Sequence, residues 1–285
     1  MSKLFVCDAQ VHAPDRPVES RALASVGGME RPDLEREMDR AGVDRAIIVP
    51  LAFEDNGRAI DFVAELPARF ATMPVFRPQA EPADLELIRG WRATAGVVGM
   101  RTSFYAPASR PLLAGHVLDW LWSAIEEARL PVMINAPDNI RAVGDIAQRH
   151  PGLTILLDHM GLTPFKIYKS DDMGPVIEDV VSLAKYPNVA IKASALPSSV
   201  AEPFPFPTLH DPIRRVTEAF GSRRVFWGSD LTRIPCTYSE CLRLFTDELT
   251  FLSDADKRWI VGQGLSSWLG WEVPKTSHAA QAHLP

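Results

Sequence analysis

Apolar runs recur along the chain at fairly regular intervals, and each run ends in polar or turn-forming residues. There are eight of them, at residues 4–12, 45–51, 70–76, 97–104, 131–137, 153–161, 188–195 and 224–232. Continuous apolar stretches of this length are typical of strands that are buried on both faces, as in parallel sheets. The pattern therefore predicts eight buried strands.

Segments with helical periodicity separate these runs. RPDLEREMDRAG ends in Gly42, and HVLDWLWSAIEEARL places Val117, Leu121 and Ile125 on one stripe. Eight alternations of strand and helix favour one α/β domain, a (β/α)8 TIM barrel over residues 1–272, and the alternative is an open doubly wound sheet. Residues 273–285 are expected to form a flexible tail.

Composition and charge exclude several classes of protein. The net charge of −6, with no cluster of Lys and Arg, argues against a nucleic-acid partner. No apolar run is long enough to span a bilayer and no signal peptide is evident, so we expect a cytoplasmic protein without a membrane partner. The three cysteines lack a C-x-x-C spacing, which argues against a disulfide framework or a thiolate zinc site.

The predicted strands carry polar residues at their carboxyl ends, where a barrel enzyme builds its active site. These residues are Gln10, His12, Arg101, Ser103, Asn135, Asp158, His159, Lys192, Ser194, Asp230 and Arg233. Because the first and eighth strands are neighbours in a closed barrel, His12 and Asp230 are expected to face each other. Alternation along the first strand predicts that Asp8, Gln10 and His12 share one face.

Several of these segments resemble the amidohydrolase superfamily, specifically its amidohydrolase-related branch of lactonases, decarboxylases and hydratases. The similarity is to metal-independent dicarboxylate lactonases, and it rests on DAQVH, GVVGMR, PVMINAP, LDHMG and FWGSDLT in this order. In that family, histidines of the first and fifth strands and an aspartate of the eighth hold a divalent metal, and a sixth-strand histidine is a ligand or an acid/base. His12, His159 and Asp230 match these positions, whereas Gln10 and Asn135 replace histidines.

These two replacements bear on the cofactor. A side-chain amide oxygen is a weaker ligand than histidine, so a binuclear zinc centre is not expected. Two alternatives stay open: a metal-free site, or one weakly bound divalent metal (zinc, manganese or magnesium) held by His12, Asp230 and Gln10.

The resemblance implies a hydrolase that opens a small lactone or cyclic amide carrying an anionic group. In this hypothesis Asp230 activates water, while His159 and His12 stabilise the oxyanion. The proline-rich segment 194–210 is either a rigid surface loop or a lid whose Phe204 and Phe206 cover the substrate. The residues predicted to bind this small-molecule substrate are Arg101, Asn135, Lys192, Arg233 and Phe204. For Arg101 and Lys192, an ion pair with Asp8 or Asp158 inside the barrel is the alternative.

Two other functions are compatible with the sequence. One is a metal-dependent decarboxylase or hydratase of the same superfamily. The other is a non-catalytic barrel that binds a small molecule or partners an active paralogue; the two replaced histidines motivate it, and the retained Asp230 argues against it. Barrels of this branch are often dimers, so the resemblance leaves a homodimer open.

Overall fold

The computed structural model describes residues 3–13, 29–79, 82 and 84–272 of the chain. The described strands pair only in parallel, in the order β1-β2-β3 and β4-β5-β6-β7-β8-β9. Their bounds are β1 Cys7–Val11, β2 Arg45–Ile48, β3 Phe70–Thr72, β4 Val75–Phe76, β5 Met100–Ser103, β6 Val132–Asn135, β7 Ile155–Leu157, β8 Val189–Ser194 and β9 Val225–Gly228.

The two sheets form one closed barrel. The third predicted run is divided into β3 and β4 by Met73 and Pro74, and the backbone N–H of Thr72 bridges to Gly96 O at 2.8 Å. At the other seam, β1 packs against β9, and Asp230 N donates to Gln10 O at 2.9 Å. The nine described strands therefore occupy the eight predicted barrel positions, and the (β/α)8 prediction is confirmed over the open sheet.

Helices surround the barrel, and among the described residues none is long and apolar enough to cross a membrane. Helix α1 ends where predicted, because Gly42 adopts a left-handed φ of 77°. Helix α4 begins after Val117, which is 43% exposed, so the predicted apolar stripe is wrong at that residue. The bounds are α1 Arg31–Ala41, α2 Asn56–Ala64, α3 Leu85–Ala93, α4 Asp119–Ala128, α5 Ile140–Arg149, α6 Ser170–Ser182, α7 Pro207–Phe220, α8 Tyr238–Arg243, α9 Asp254–Arg258 and α10 Gly264–Leu269.

Two apolar layers hold this architecture together. Alternate strand residues form a small inner cluster that fills the barrel, while the others pack outward against the helices. The inner cluster continues into Leu265 and Leu269 of α10 and into Trp268 and Trp271. The segment 259–271 therefore forms the floor of the barrel at the amino-terminal ends of its strands. The predicted tail, residues 273–285, lies outside the described residues.

Strand β1 contains an irregularity that affects the site. Asp8 pairs with Ala46, and Val11 pairs with Ile48. Between these two pairs the chain advances by three residues on β1 but by only two on β2. One extra residue of this kind is a β-bulge, which interrupts the alternation of side chains. Gln10 consequently faces inward with His12, whereas Asp8 turns towards Tyr238 of α8. The prediction that all three share one face is wrong for Asp8.

The barrel floor provides a test of this packing. A Cβ atom added at Gly262 would overlap the backbone carbonyl of Phe5, whereas one added at Gly90, inside α3, would meet nothing within 4 Å. We expect Gly262→Ala to lower the free energy of unfolding by about 1–3 kcal/mol. The matched variant Gly90→Ala is expected to raise it by about 0.5–1 kcal/mol, because alanine is the better helix former. Urea unfolding measures both, and equal effects of the two variants would contradict this account.

Candidate active site

The polar strand-end residues predicted from the sequence converge at the carboxyl ends of the barrel strands. Asp230 follows β9 in a left-handed conformation, with φ of 61°. Its Oδ1 lies 3.0 Å from His12 Nε2 and accepts a hydrogen bond from Gln10 Nε2 at 2.9 Å. The predicted facing of His12 and Asp230 is confirmed, since barrel closure brings β1 beside β9.

A backbone carbonyl fixes the orientation of the His12 ring. His12 Nδ1 lies 2.6 Å from the backbone oxygen of Val49, and a carbonyl can only accept, so Nδ1 carries a proton. In the neutral ring, Nε2 then presents a lone pair to a carboxylate oxygen of Asp230.

Gln10 is oriented by Lys192. The Lys192 ammonium donates to Asp158 Oδ1 at 2.9 Å, to Met133 Sδ at 2.9 Å and, through a short contact, to Gln10 Oε1. Lysine is a donor only, so the atom of Gln10 that faces it must be the oxygen. The amide nitrogen of Gln10 therefore points towards Asp230 and His12, 3.2 Å from His12 Nε2.

Asp158 is the anion beneath the site, and both predicted cations pair with it. Arg101 Nε lies 2.8 Å from Asp158 Oδ2, and Lys192 Nζ contacts the other oxygen. Burial alone would raise the pKa of Asp158, but the charges of Lys192 and Arg101 outweigh burial and hold this pKa well below its usual range. For both residues, the internal ion pair with Asp158 is thus present.

Arg101 and Lys192 nevertheless differ in how many of their N–H groups already have an acceptor in the protein. Lys192 is completely buried, and three acceptors surround its three N–H groups. Arg101 uses only Nε for Asp158, and its side chain keeps 11% exposure. The terminal N–H groups of Arg101 therefore remain available to a ligand at the barrel mouth.

His159 follows β7, which is separated from β9 and Asp230 by β8. It adopts a left-handed φ of 53°, and its Nδ1 lies 2.9 Å from Ser194 Oγ. Burial lowers the pKa of His159 despite the nearby carboxylates of Asp158 and Asp230, so the ring is neutral at neutral pH. Ala195 is left-handed too, so three consecutive strand ends have unusual backbone conformations, which cluster at functional sites.

Asp230 is ionised in this environment. Burial would raise its pKa, but the close contact with His12 and the charge of Arg101 outweigh burial and hold the pKa below its ordinary value. The carboxylate is consequently a weak base on its own.

The remaining predicted ligands are less closely joined to this cluster. Asn135 donates to Ser103 Oγ at 3.1 Å, at the ends of β6 and β5. Arg233 lies in the short turn after Asp230 and forms no salt bridge with another described residue. Phe204 packs edge-on against Phe206, with ring centroids 5.9 Å apart, and lies under the guanidinium of Arg243. The substrate-binding roles of these residues stay predictions.

The donor set of this centre does not fit a divalent metal. Within the described residues, no group of three or more His, Cys, Asp or Glu side chains is placed to hold an ion. Gln10 turns its NH2 group, not its oxygen, to His12 and Asp230. The predicted set of His12, Asp230 and Gln10 therefore offers two ligand atoms and one opposing donor.

Comparison with known proteins adds to this geometry. A family model described as Amidohydrolase matches residues 7–263, from the first strand to the barrel floor. The chain belongs to the amidohydrolase family. The predicted resemblance is confirmed, and the protein is a hydrolase of this family.

Individual amidohydrolase relatives are similar along most of the chain. The L-fucono-1,5-lactonase of Burkholderia ambifaria is 25% identical over 215 residues, which are 70% of this chain and 68% of that protein. An amidohydrolase from Burkholderia multivorans, solved with bound zinc, has a TM-score of 0.79 at 17% identity and covers 93% of this chain and 99% of its own. A putative 2-pyrone-4,6-dicarboxylic acid hydrolase from Pseudomonas putida has a TM-score of 0.74 at 18% identity, covering 95% and 99%.

A second polar cluster in this amidohydrolase lies behind the site, and of its members the sequence analysis singled out Asp8 but not its partners Ser229 and Tyr238. Asp8 accepts hydrogen bonds from the backbone N–H of Ser229 at 2.8 Å, from Tyr238 Oη at 2.7 Å and from Gln10 N at 2.9 Å, besides a short bond from Ser229 Oγ. The only sequence signal is the position of Ser229 directly before Asp230. The cluster fixes the ends of β1 and β9 against each other.

Asp8 leads to a prediction about pH. Burial raises the pKa of Asp8 to about 6, despite its hydrogen bonds to Ser229, Gln10 and Tyr238. The folded state then holds this proton more tightly than the unfolded state, so Asp8 lowers the free energy of unfolding as pH rises from about 4 to about 6. Asp8→Asn removes the titration and retains an acceptor for both N–H groups. We expect it to be more stable than wild type by about 1–3 kcal/mol at pH 8 and similar to wild type at pH 4.

Urea unfolding of both proteins across this pH range measures the difference. Comparing the two at each pH cancels the opposite contributions of Asp158 and Asp230, whose pKa values are lowered. Asp8→Ala, which lacks the acceptors, should be less stable than wild type at both pH values. A difference between wild type and Asp8→Asn that does not change with pH would contradict the prediction.

Proposed function

We propose that this amidohydrolase hydrolyses a small lactone, or a related cyclic amide, that carries an anionic group. The observation that carries the proposal is the Asp230 carboxylate, with Oδ1 3.0 Å from His12 Nε2 at the barrel mouth. Two relatives support the substrate class by their names, the L-fucono-1,5-lactonase and the putative 2-pyrone-4,6-dicarboxylic acid hydrolase. The second of these names describes an anionic lactone.

The hydrolytic step follows from the donors and acceptors of the site. Water donates its proton to Asp230, and the oxygen lone pair attacks the ring carbonyl of the substrate. The proton is then shared by Asp230 and His12 Nε2, which offsets the weak basicity of a carboxylate whose pKa is lowered. When the tetrahedral intermediate collapses, the ring C–O or C–N bond breaks and the leaving atom takes up this proton.

His159 stabilises the oxyanion in this proposal. This role requires the tautomer in which Ser194 Oγ, 2.9 Å from His159 Nδ1, donates to that nitrogen and Nε2 carries the proton of the neutral ring. A neutral imidazole held in this tautomer donates a hydrogen bond to the developing negative charge without competing for the proton on Asp230. The left-handed backbone at His159 directs the ring from the strand end.

Arg101 binds the anionic group of the substrate. Its terminal N–H groups are free of Asp158 and match the planar geometry of a carboxylate. Arg233, three residues after Asp230, supplies a second positive charge. Lys192 does not serve as a substrate ligand here, because its three N–H groups already have acceptors.

Asp230→Asn tests the base. Removing the proton acceptor should lower kcat/KM by about 10²–10⁴-fold, measured by steady-state assay against carboxylated lactones, sugar lactones and cyclic amides. The matched control is Asp247→Asn, at an exposed aspartate that pairs with Arg243. It should leave turnover unchanged, and a value for Asp230→Asn within threefold of wild type would remove the mechanism.

Arg101→Lys tests anion recognition. Lysine keeps a positive charge for Asp158 but loses the terminal fork, so KM for carboxylated substrates should rise about tenfold or more, equivalent to about 1.4 kcal/mol. Values of kcat should change little, because binding energy is lost equally in the ground and transition states. The control is Arg92→Lys at the exposed end of α3, and an equal rise in KM for uncharged lactones would argue against an anion-binding role.

A further inference from the structure

Lys192 is a completely buried lysine that takes no part in the proposed chemistry. It lies inside the barrel and donates to Asp158 and to the oxygen of Gln10. The amide nitrogen of Gln10 in turn donates to Asp230. A buried ammonium is costly unless every N–H group has a partner, and here all three have one. This arrangement raises the question of what the ammonium contributes to the site above it.

The ammonium determines which end of the Gln10 amide faces the site. If the amide were reversed, its NH2 group would face the three donors of Lys192, and its oxygen would face the Asp230 carboxylate. Both hydrogen bonds would be lost. Two donors would then face each other at Lys192, and two acceptors would face each other at Asp230. The observed orientation satisfies both ends, with Oε1 on Lys192 and Nε2 on Asp230.

The orientation of Gln10 has a consequence for His12. An imidazole nitrogen has a single lone pair, and His12 Nδ1 is already engaged with Val49 O. Gln10 Nε2 lies 3.2 Å from His12 Nε2, so its N–H groups stand where a cation would have to approach that lone pair. The same NH2 group also covers the Asp230 oxygen that would be the second ligand.

We propose that Lys192 is a positioning residue that keeps divalent metal off the His12–Asp230 pair. It does so by fixing Gln10 as a hydrogen-bond donor at this position. The inference concerns metal affinity and stands independently of the lactone substrate.

Zinc binding by purified, metal-stripped protein tests the inference, with titration calorimetry and elemental analysis after dialysis. Lys192→Met frees the Gln10 amide to turn its oxygen to His12 and Asp230, and leaves Asp158 paired with Arg101. Gln10→Glu keeps an acceptor for Lys192 and replaces the opposing NH2 with a ligand oxygen. Changes in such supporting contacts typically alter metal affinity about 10–100-fold, so both variants should bind zinc at least about tenfold more tightly than wild type.

Lys185→Met is the matched control. Lys185 lies over the ring of Tyr186, away from the site, and its loss should leave zinc affinity at the wild-type value. Circular dichroism and the thermal midpoint check folding, and Gln10→Glu, which keeps the ammonium paired, carries the test if Lys192→Met does not fold. Zinc affinities within threefold of wild type in the folded variants would overturn the inference. Because the readout is metal binding, that result is distinguishable from failure of the hydrolytic proposal, which Asp230→Asn tests.

Discussion

A buried carboxylate inside the barrel, Asp158, sets the arrangement of the site, because an isolated negative charge there would be very unfavourable. Two cations neutralise it from different strands, Arg101 on β5 and Lys192 on β8. Lys192 then orients Gln10 on β1, and Gln10 orients Asp230 after β9. The position of the proposed base is therefore linked to a charge buried beneath the site.

The same first strand serves two networks that differ in their electrostatics. On the inner side, positive and neutral donors keep Asp230 and Asp158 ionised. On the outer side, Asp8 has only neutral donors, so burial dominates and raises its pKa. The bulge in β1 makes this possible, because it places Asp8 and Gln10 on opposite sides although their spacing predicts one side.

The barrel and the meeting of His12 with Asp230 could be predicted because both depend on properties repeated along the chain. Continuous apolar runs mark strands that are buried on both faces, and closure makes the first and last strands neighbours.

The bulge was not predictable, since one additional residue leaves no mark in the composition of CDAQV. Arg101 and Lys192 also look alike in sequence, but only Arg101 keeps partial exposure and N–H groups that Asp158 does not use. Phe204 shows that an aromatic residue in a proline-rich segment does not reveal which way its ring faces.

The barrel floor has a consequence for synthesis of the chain. Strand β1 emerges first from the ribosome, but its partner on one side is β9, and the residues below it lie in the segment 259–271. Contacts between residues so distant in sequence form slowly, because a long loop must close first. The inner apolar residues of β1 therefore stay without their final neighbours until almost all described residues have been translated. In the cell, this nascent chain is expected to require protection from aggregation for longer than a fold whose first elements pair locally.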